Sequence, residues 1–195
     1  MKNSRENIFS AALELFSRQG FYRTTVSQIA KRAGLSDGAI YRHFPGKYEL
    51  AAEIYSEVMT GLIETFKSIR LSGADFTGKI EAVIELLFQT ADEHPQKINF
   101  IFFLKHSEFL SSQQMRMIQQ ISEEIAAVIR EGIDNDEIIP VDPRLGAAMI
   151  IGSINKLIEM RNFKLIDEPL INLKEDCLNL FMTGFRKCEK SNAVF

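Results

Sequence analysis

Four side chains in the stretch "IYRHFPGK" could hold a polyanion: Tyr41, Arg42, His43 and Lys47. A phenol, an imidazole and two cations suit phosphate oxygens, contacts that position a nucleic acid without reading its sequence. Slightly earlier, Asp37 could accept a hydrogen bond from a cytosine amino group. Nothing comparable points to catalysis. The histidines at 43, 94 and 106 have no zinc-type spacing with Cys177 and Cys188. Those cysteines lie eleven residues apart in a helical pattern. That is about 16 Å along the axis, too far to bridge within one chain. There is no Ser/His/Asp or Cys/His arrangement and no phosphate-cradling glycine loop. "DNDEIIPVDPRLG" follows a calcium loop only at its start, because the glycine and the closing glutamate are missing. The expectation is a protein that is not an enzyme and carries no metal or cofactor.

Phosphate contacts need a rigid frame. Thr25 with Gln28 forms a capping box ahead of the stripe Val26, Ile29, Ala30 and Ala33, and Gly34 is placed to end that helix in a left-handed turn. Ser36 caps the next helix, Leu35 and Ile40 are spaced as a hydrophobic staple, and Pro45 stops it. Within it Ile40 and Phe44 share the inner face. Gly38 and Arg42 then point outward, with Ala39 and Tyr41 on the flanks. Small residues at its front let this N-terminal end approach a DNA major groove, where free N–H groups and the helix dipole favour phosphate. Helices this short do not persist alone in water. A preceding helix with Ile8, Ala11, Ala12, Leu15 and Phe16 on one face, stopped by Gly20, gives them a surface to pack on. The plainer alternative is a three-helix bundle whose turn happens to be short.

Charge is unevenly spread. Residues 1–50 carry eight basic and four acidic side chains, a net of +4, whereas the whole chain of 195 residues is at −3 and the remainder therefore at −7. A basic end on an acidic body suggests that only the end meets a polyanion. Binding should then weaken steeply with salt, and Arg42→Ala or Lys47→Ala should flatten that dependence. No apolar run approaches the roughly 20 residues of a membrane span. The polar N-terminus has no signal-peptide pattern, so the cytoplasm is the expected compartment.

The rest of the chain also reads as helix, giving an all-α fold of about nine helices. Further segments are expected over 47–71, 76–93, 96–109, 111–133, 143–168 and 170–190. The signals are the break at "SGAD", Pro95, the Ser111/Gln114 box, the Asp142 cap with Pro143 at the first helical position, and Pro169.

The stretch "GFYRTTVSQIAKRAGLSDGAIYRHFPGKYEL" closely resembles the N-terminal signature of the TetR family of bacterial transcriptional regulators. The likeness extends without gaps over about 45 residues from "ENIFSAALELFSRQGF" onward. It implies a helix-turn-helix domain over 1–46 and a helical effector-binding and dimerisation domain over 47–195. It also implies a homodimer on a palindromic operator, usually as a repressor, released when a small molecule fills the body. Carried over by position, Thr25, Ser27 and Gln28 match sites that meet phosphates and sometimes a base. Asp37, Gly38 and Ala39 match the reading end of the recognition helix, which Ser36 caps. Tyr41, Arg42 and His43 match its backbone contacts, and Lys47 the contact at the start of the fourth helix. Asp37 departs from the family, which often has a basic or neutral polar residue there. It is either a specificity residue or partly a cap.

The body offers less chemistry. The ninth helix places Leu173, Cys177, Leu180, Phe181, Gly184, Phe185 and Cys188 at spacings of three and four, and the eighth offers Gly146, Ala147, Ala148, Gly152 and Ser153. Such stripes could form a four-helix dimer interface or bury within one subunit. Aromatic residues gather in the middle helices, including Phe66, Phe76, Phe88, Phe100 and Phe103, as core or as pocket. A hydrophobic or aromatic effector lodged among Phe66, Phe88, Phe103 and His106, with His106 or Asn155 as hydrogen-bond partner, is the expected occupant. An alternative is a body that binds a protein partner. The cysteines read as small buried hydrophobes.

Overall fold

The computed structural model describes residues 4–104 and 111–186, without the side chains of 102–104. The described residues form nine α-helices and no strand. Local signals act where the sequence places them. Helix α1 (Ser4–Gln19) ends ahead of Gly20, whose φ of +85° is a turn that glycine adopts without strain. The short helices α2 (Val26–Ala33) and α3 (Asp37–His43) follow, then the long α4 (Lys47–Leu71) and α5 (Phe76–Glu93). Helix α6 (Pro95–Leu104) is described to residue 104, and the remainder of the helix expected over 96–109 lies outside the described residues.

Helix α7 (Ser112–Asp134) starts with half of the expected box. The Gln114 side chain accepts from the Ser111 N–H at 2.9 Å and from its hydroxyl, while the Ser111 oxygen accepts from Gln113 N at 3.2 Å. Asp142 caps α8 (Pro143–Asn162) by accepting from Arg144 N, and hydrogen bonds from Arg144 hold its carboxyl down at about 2. The ninth helix differs from expectation at its start. A 3-10 turn over Leu170–Leu173 precedes α9 (Lys174–Phe185), because Asp92 accepts from the amides of Leu170 (3.1 Å) and Ile171 (3.0 Å) and tightens that first turn.

Two compact units share the chain. The first comprises residues 1–62 and 93–118, so it combines α1–α3 with the beginning of α4, with α6 and with the start of α7. Phe16, 1% exposed, stacks on Phe100 of α6 at 5.6 Å between ring centroids and lies 5.3 Å from Phe21. Phe100 therefore belongs to the core under the short helices and not to an aromatic cluster in the body. Tyr55 is also buried here. Its hydroxyl has no hydrogen-bond partner among the described residues, and burial pushes its pKa up to about 12. A buried hydroxyl left unpaired costs roughly 1–3 kcal/mol. Tyr55→Phe should accordingly raise unfolding stability by about 1 kcal/mol. A urea titration checks this, and a loss of stability would show that the hydroxyl has a partner such as a bound water.

The second unit comprises residues 63–92 and 119–195. Its helices meet at two glycines. A Cβ on Gly132 of α7 would come within 2.7 Å of the Phe76 ring, and one on Gly146 of α8 within 2.8 Å of Ile129. Phe76 and Phe185 pack edge to face at 5.6 Å. Charged groups tie the periphery: Arg70 pairs with Glu124 at 2.7 Å and with Glu131 at 3.5 Å, and Lys79 with Glu131 at 2.8 Å.

The stripes expected on the last two helices divide between both readings. Gly146, Ala147, Cys177 and Phe185 are buried within the unit. Ala148, Gly152, Ser153 and Gly184 are exposed, as are Leu145 (57%), Met149 (58%) and Leu180 (75%). Burial raises the Cys177 thiol to about 11, which leaves it a small hydrophobe at neutral pH, and Cys188 lies outside the described residues.

Candidate nucleic-acid interface

The site is built by two caps and a turn. Thr25, in an extended conformation, accepts from Gln28 N at 3.2 Å while the Gln28 side chain accepts from Thr25 N at 2.9 Å, so the capping box closes from both sides. Gln19 joins it from α1, donating to the Gln28 side-chain oxygen at 3.0 Å and to the Thr24 hydroxyl at 3.2 Å. With that oxygen occupied twice, the Gln28 –NH₂ is the group left to face a ligand. Gly34, at φ +71°, ends α2, and Leu35 N reaches back to Ala30 O at 2.9 Å. Ser36 then caps α3 by accepting from Ala39 N at 3.3 Å.

This arrangement presents one side of α3. Gly38, Tyr41, Arg42 and His43 are exposed, whereas Ile40 and Phe44 are 1% and 2% exposed. Ala39 departs from expectation. Its methyl, expected on the flank of the reading end, is 7% exposed and packs inward beside Ile40, because its place in this short helix turns it toward the core. Asp37 neither caps α3 nor stands alone. Its carboxylate accepts from the Ser27 hydroxyl and so ties the first turn of α3 to the first turn of α2, while Ser36 makes the cap.

Lys47 is more engaged than a simple surface cation. Its ammonium donates to the carbonyls of Phe21 (2.9 Å) and Thr24 (2.7 Å), lies 4.3 Å from the centre of the Phe21 ring, and has its pKa lowered by burial. Two other cations of the basic end are paired. Arg5 meets Glu53 at 3.1 Å and Glu57 at 3.5 Å, and Arg32 meets Glu14 at 2.6 Å. Sequence reading missed the Gln19 bridge and the Lys47 bonds, since neither follows a local spacing rule.

The profile of "Bacterial regulatory proteins, tetR family" matches residues 8–54, the segment that carries these caps and turns. Over nearly the whole chain, the "Fatty acid metabolism regulator protein" of Bacillus subtilis is 28% identical across 180 residues, covering 91% of this chain and 93% of that one. The "HTH-type transcriptional regulator AcrR" of Shigella flexneri is 29% identical over 169 residues, covering 81% and 78%. The solved structure of "a transcriptional regulator FadR from Bacillus subtilis in complex with stearoyl-CoA" superposes with a TM-score of 0.79 at 25% identity, covering 93% and 99%.

The N-terminal segment of this chain is that of the TetR family.

The protein is a DNA-binding transcriptional regulator, and α3 lies inside the matched segment. The residues expected to line an effector site are less well placed by the structure. Phe66 (2% exposed) and Phe88 (0%) are fully buried side chains of the second unit, and Asn155 is half-buried on α8. The Phe103 side chain and all of His106 lie outside the described residues. Among the described residues no group of histidine, cysteine or acidic side chains is arranged to hold a metal ion, and no helix is long and apolar enough to cross a membrane.

Proposed function

We propose that the protein is a cytoplasmic repressor that occupies a palindromic operator as a homodimer and leaves it when an effector with a long apolar chain fills the body. The observation that carries the DNA half is the one-sided exposure of α3, where Gly38, Tyr41, Arg42 and His43 face out over a buried Ala39, Ile40 and Phe44. Residues 1–46 form the reading head in this proposal. Thr25, the Ser27 backbone N–H and the Gln28 amide serve phosphates at the start of α2, and Arg42, Tyr41 and His43 serve them along α3. Residues 47–195 hold the effector and the partner copy. The exposed stripes of α8 and α9, with Leu145, Met149 and Leu180, support an interface of four helices, two from each protomer.

The effector class follows from likeness to a regulator of fatty acid metabolism and to a structure holding stearoyl-CoA. Such a ligand displaces the protein only if it binds the DNA-incompetent state more tightly, and about 1–3 kcal/mol of coupling changes affinity 5- to 150-fold. Stearoyl-CoA should therefore weaken binding to a duplex from the protein's own promoter by a factor in that range, while free coenzyme A should not. Fluorescence anisotropy with the two compounds in parallel checks it. Unchanged DNA affinity with stearoyl-CoA would end the acyl assignment and leave DNA binding standing.

A further inference from the structure

The turn between α1 and α2 is held more firmly than a surface connection requires. Gly20 opens it, Thr24 donates from its amide to Phe21 O (3.2 Å) and from its hydroxyl to Gly20 O (2.8 Å), and Gln19 donates to Arg23 O at 3.4 Å. Lys47 adds its two bonds, to the carbonyls of Phe21 and Thr24. Phe21 in turn packs against Tyr48 at 5.0 Å and Tyr22 at 5.7 Å, both edge to face. Thr24 is completely buried, so the turn is anchored from within.

What this anchored turn carries outward is Arg23, flanked by Tyr22 at 71% exposure. The Arg23 guanidinium makes no hydrogen bond or ion pair among the described residues, in contrast to Arg5 and Arg32, which are matched by Glu53, Glu57 and Glu14. It stands two residues before Thr25, the cap of α2. Two residues span at most about 7 Å of backbone, within the reach of an arginine side chain. A phosphate drawn to the N–H groups at the start of α2 would thus have a cation beside it on a fixed backbone. Lys47 has spent two of its three donors on carbonyls and its remaining surface on an aromatic ring.

We infer that Arg23 is a phosphate contact of this regulator and that Lys47 acts mainly as a positioning residue, holding the turn that presents Arg23. The inference rests on the DNA-binding reading and adds to it a contact outside the positions carried over from the family. Arginine is suited to the task, since its planar fork grips phosphate oxygens in pairs and a fixed turn reduces the entropy lost on contact.

The test is the salt dependence of binding to a short mixed-sequence duplex, because phosphate contacts act on any sequence. Each lost contact lowers the slope of log K against log salt by about 0.9. Arg23→Ala is expected to lose about that much per engaged protomer, and Arg23→Lys to keep most of the slope. Lys47→Met should lower the slope as Arg23→Ala does, and the double variant should lose no more than either alone. Should Lys47→Met fail to fold by circular dichroism, Lys47→Gln removes the charge and keeps an N–H donor. It should hold the slope if Lys47 positions the turn. A wild-type slope for Arg23→Ala overturns the assignment of the contact. Additive losses in the double variant, or a slope lost in Lys47→Gln, overturn the positioning role. A wild-type protein without salt-sensitive duplex binding would instead remove the DNA reading itself.

Discussion

Leu180→Glu is expected to convert the protein to monomers and to weaken operator binding by about two orders of magnitude or more. Leu180 is 75% exposed on α9, and Leu145 and Met149 on α8 are more than half exposed, although all three are large apolar side chains. The two helices meet where Gly146 approaches Phe185, so the exposed residues border a shared contact. In a two-fold interface every substitution occurs twice. In the proposed interface two carboxylates would be taken out of water without partners, at a cost of several kcal/mol. A monomer still grips one half-site, but the second binding event is no longer intramolecular, and that advantage is worth about 10²–10⁴. Sedimentation velocity alongside an operator titration measures both consequences. A variant that remains dimeric and binds normally would move the interface away from this face.

The second large effect concerns the reading head from beneath. Phe16→Ala should cost about 3–5 kcal/mol of unfolding stability. The ring is 1% exposed, stacked on Phe100 at 5.6 Å and 5.3 Å from Phe21. Its removal leaves a cavity under both neighbours, and Phe21 is the ring on which the Lys47 ammonium rests. Natural domains are stable by only about 5–15 kcal/mol, so the loss is a large share of the whole. Denaturant titration followed by circular dichroism gives the value. A loss below about 1 kcal/mol would mean that the site collapses around the missing ring or that the stack contributes little.

The parts of the fold that could be read from sequence are those fixed by short-range hydrogen bonds. The Thr25/Gln28 box, the left-handed Gly34, the Ser36 cap and the Asp142–Pro143 start each involve residues within four positions of one another. Phe100 was not legible, because its partner Phe16 lies in another helix far back along the chain and periodicity does not say which faces meet. The same holds for Lys47, whose flexible stem can reach a carbonyl as readily as a phosphate. Ala39 was misplaced because a seven-residue helix offers too few turns to fix its inner face from pattern alone. Asp37 found its partner on the neighbouring helix, a contact that neither a cap rule nor a base-pairing rule describes. On α9 one apolar stripe had to be divided between Cys177 and Phe185, which turn inward, and Leu180, which faces out.

The nesting of the two units has a consequence for synthesis. Neither unit is a continuous piece of chain, since residues 93–118 return to the first after 63–92 have been given to the second. A nascent polypeptide usually completes its domains in order from the N-terminus. Here α1 to α3 leave the ribosome before α6, yet Phe16 remains uncovered until α6 delivers Phe100. During that interval the intervening helices α4 and α5 are already outside and expose apolar faces of their own. The DNA-reading end is thus made before α6 but not completed until α6 arrives, and a fragment ending at residue 46 would keep its caps while losing its floor.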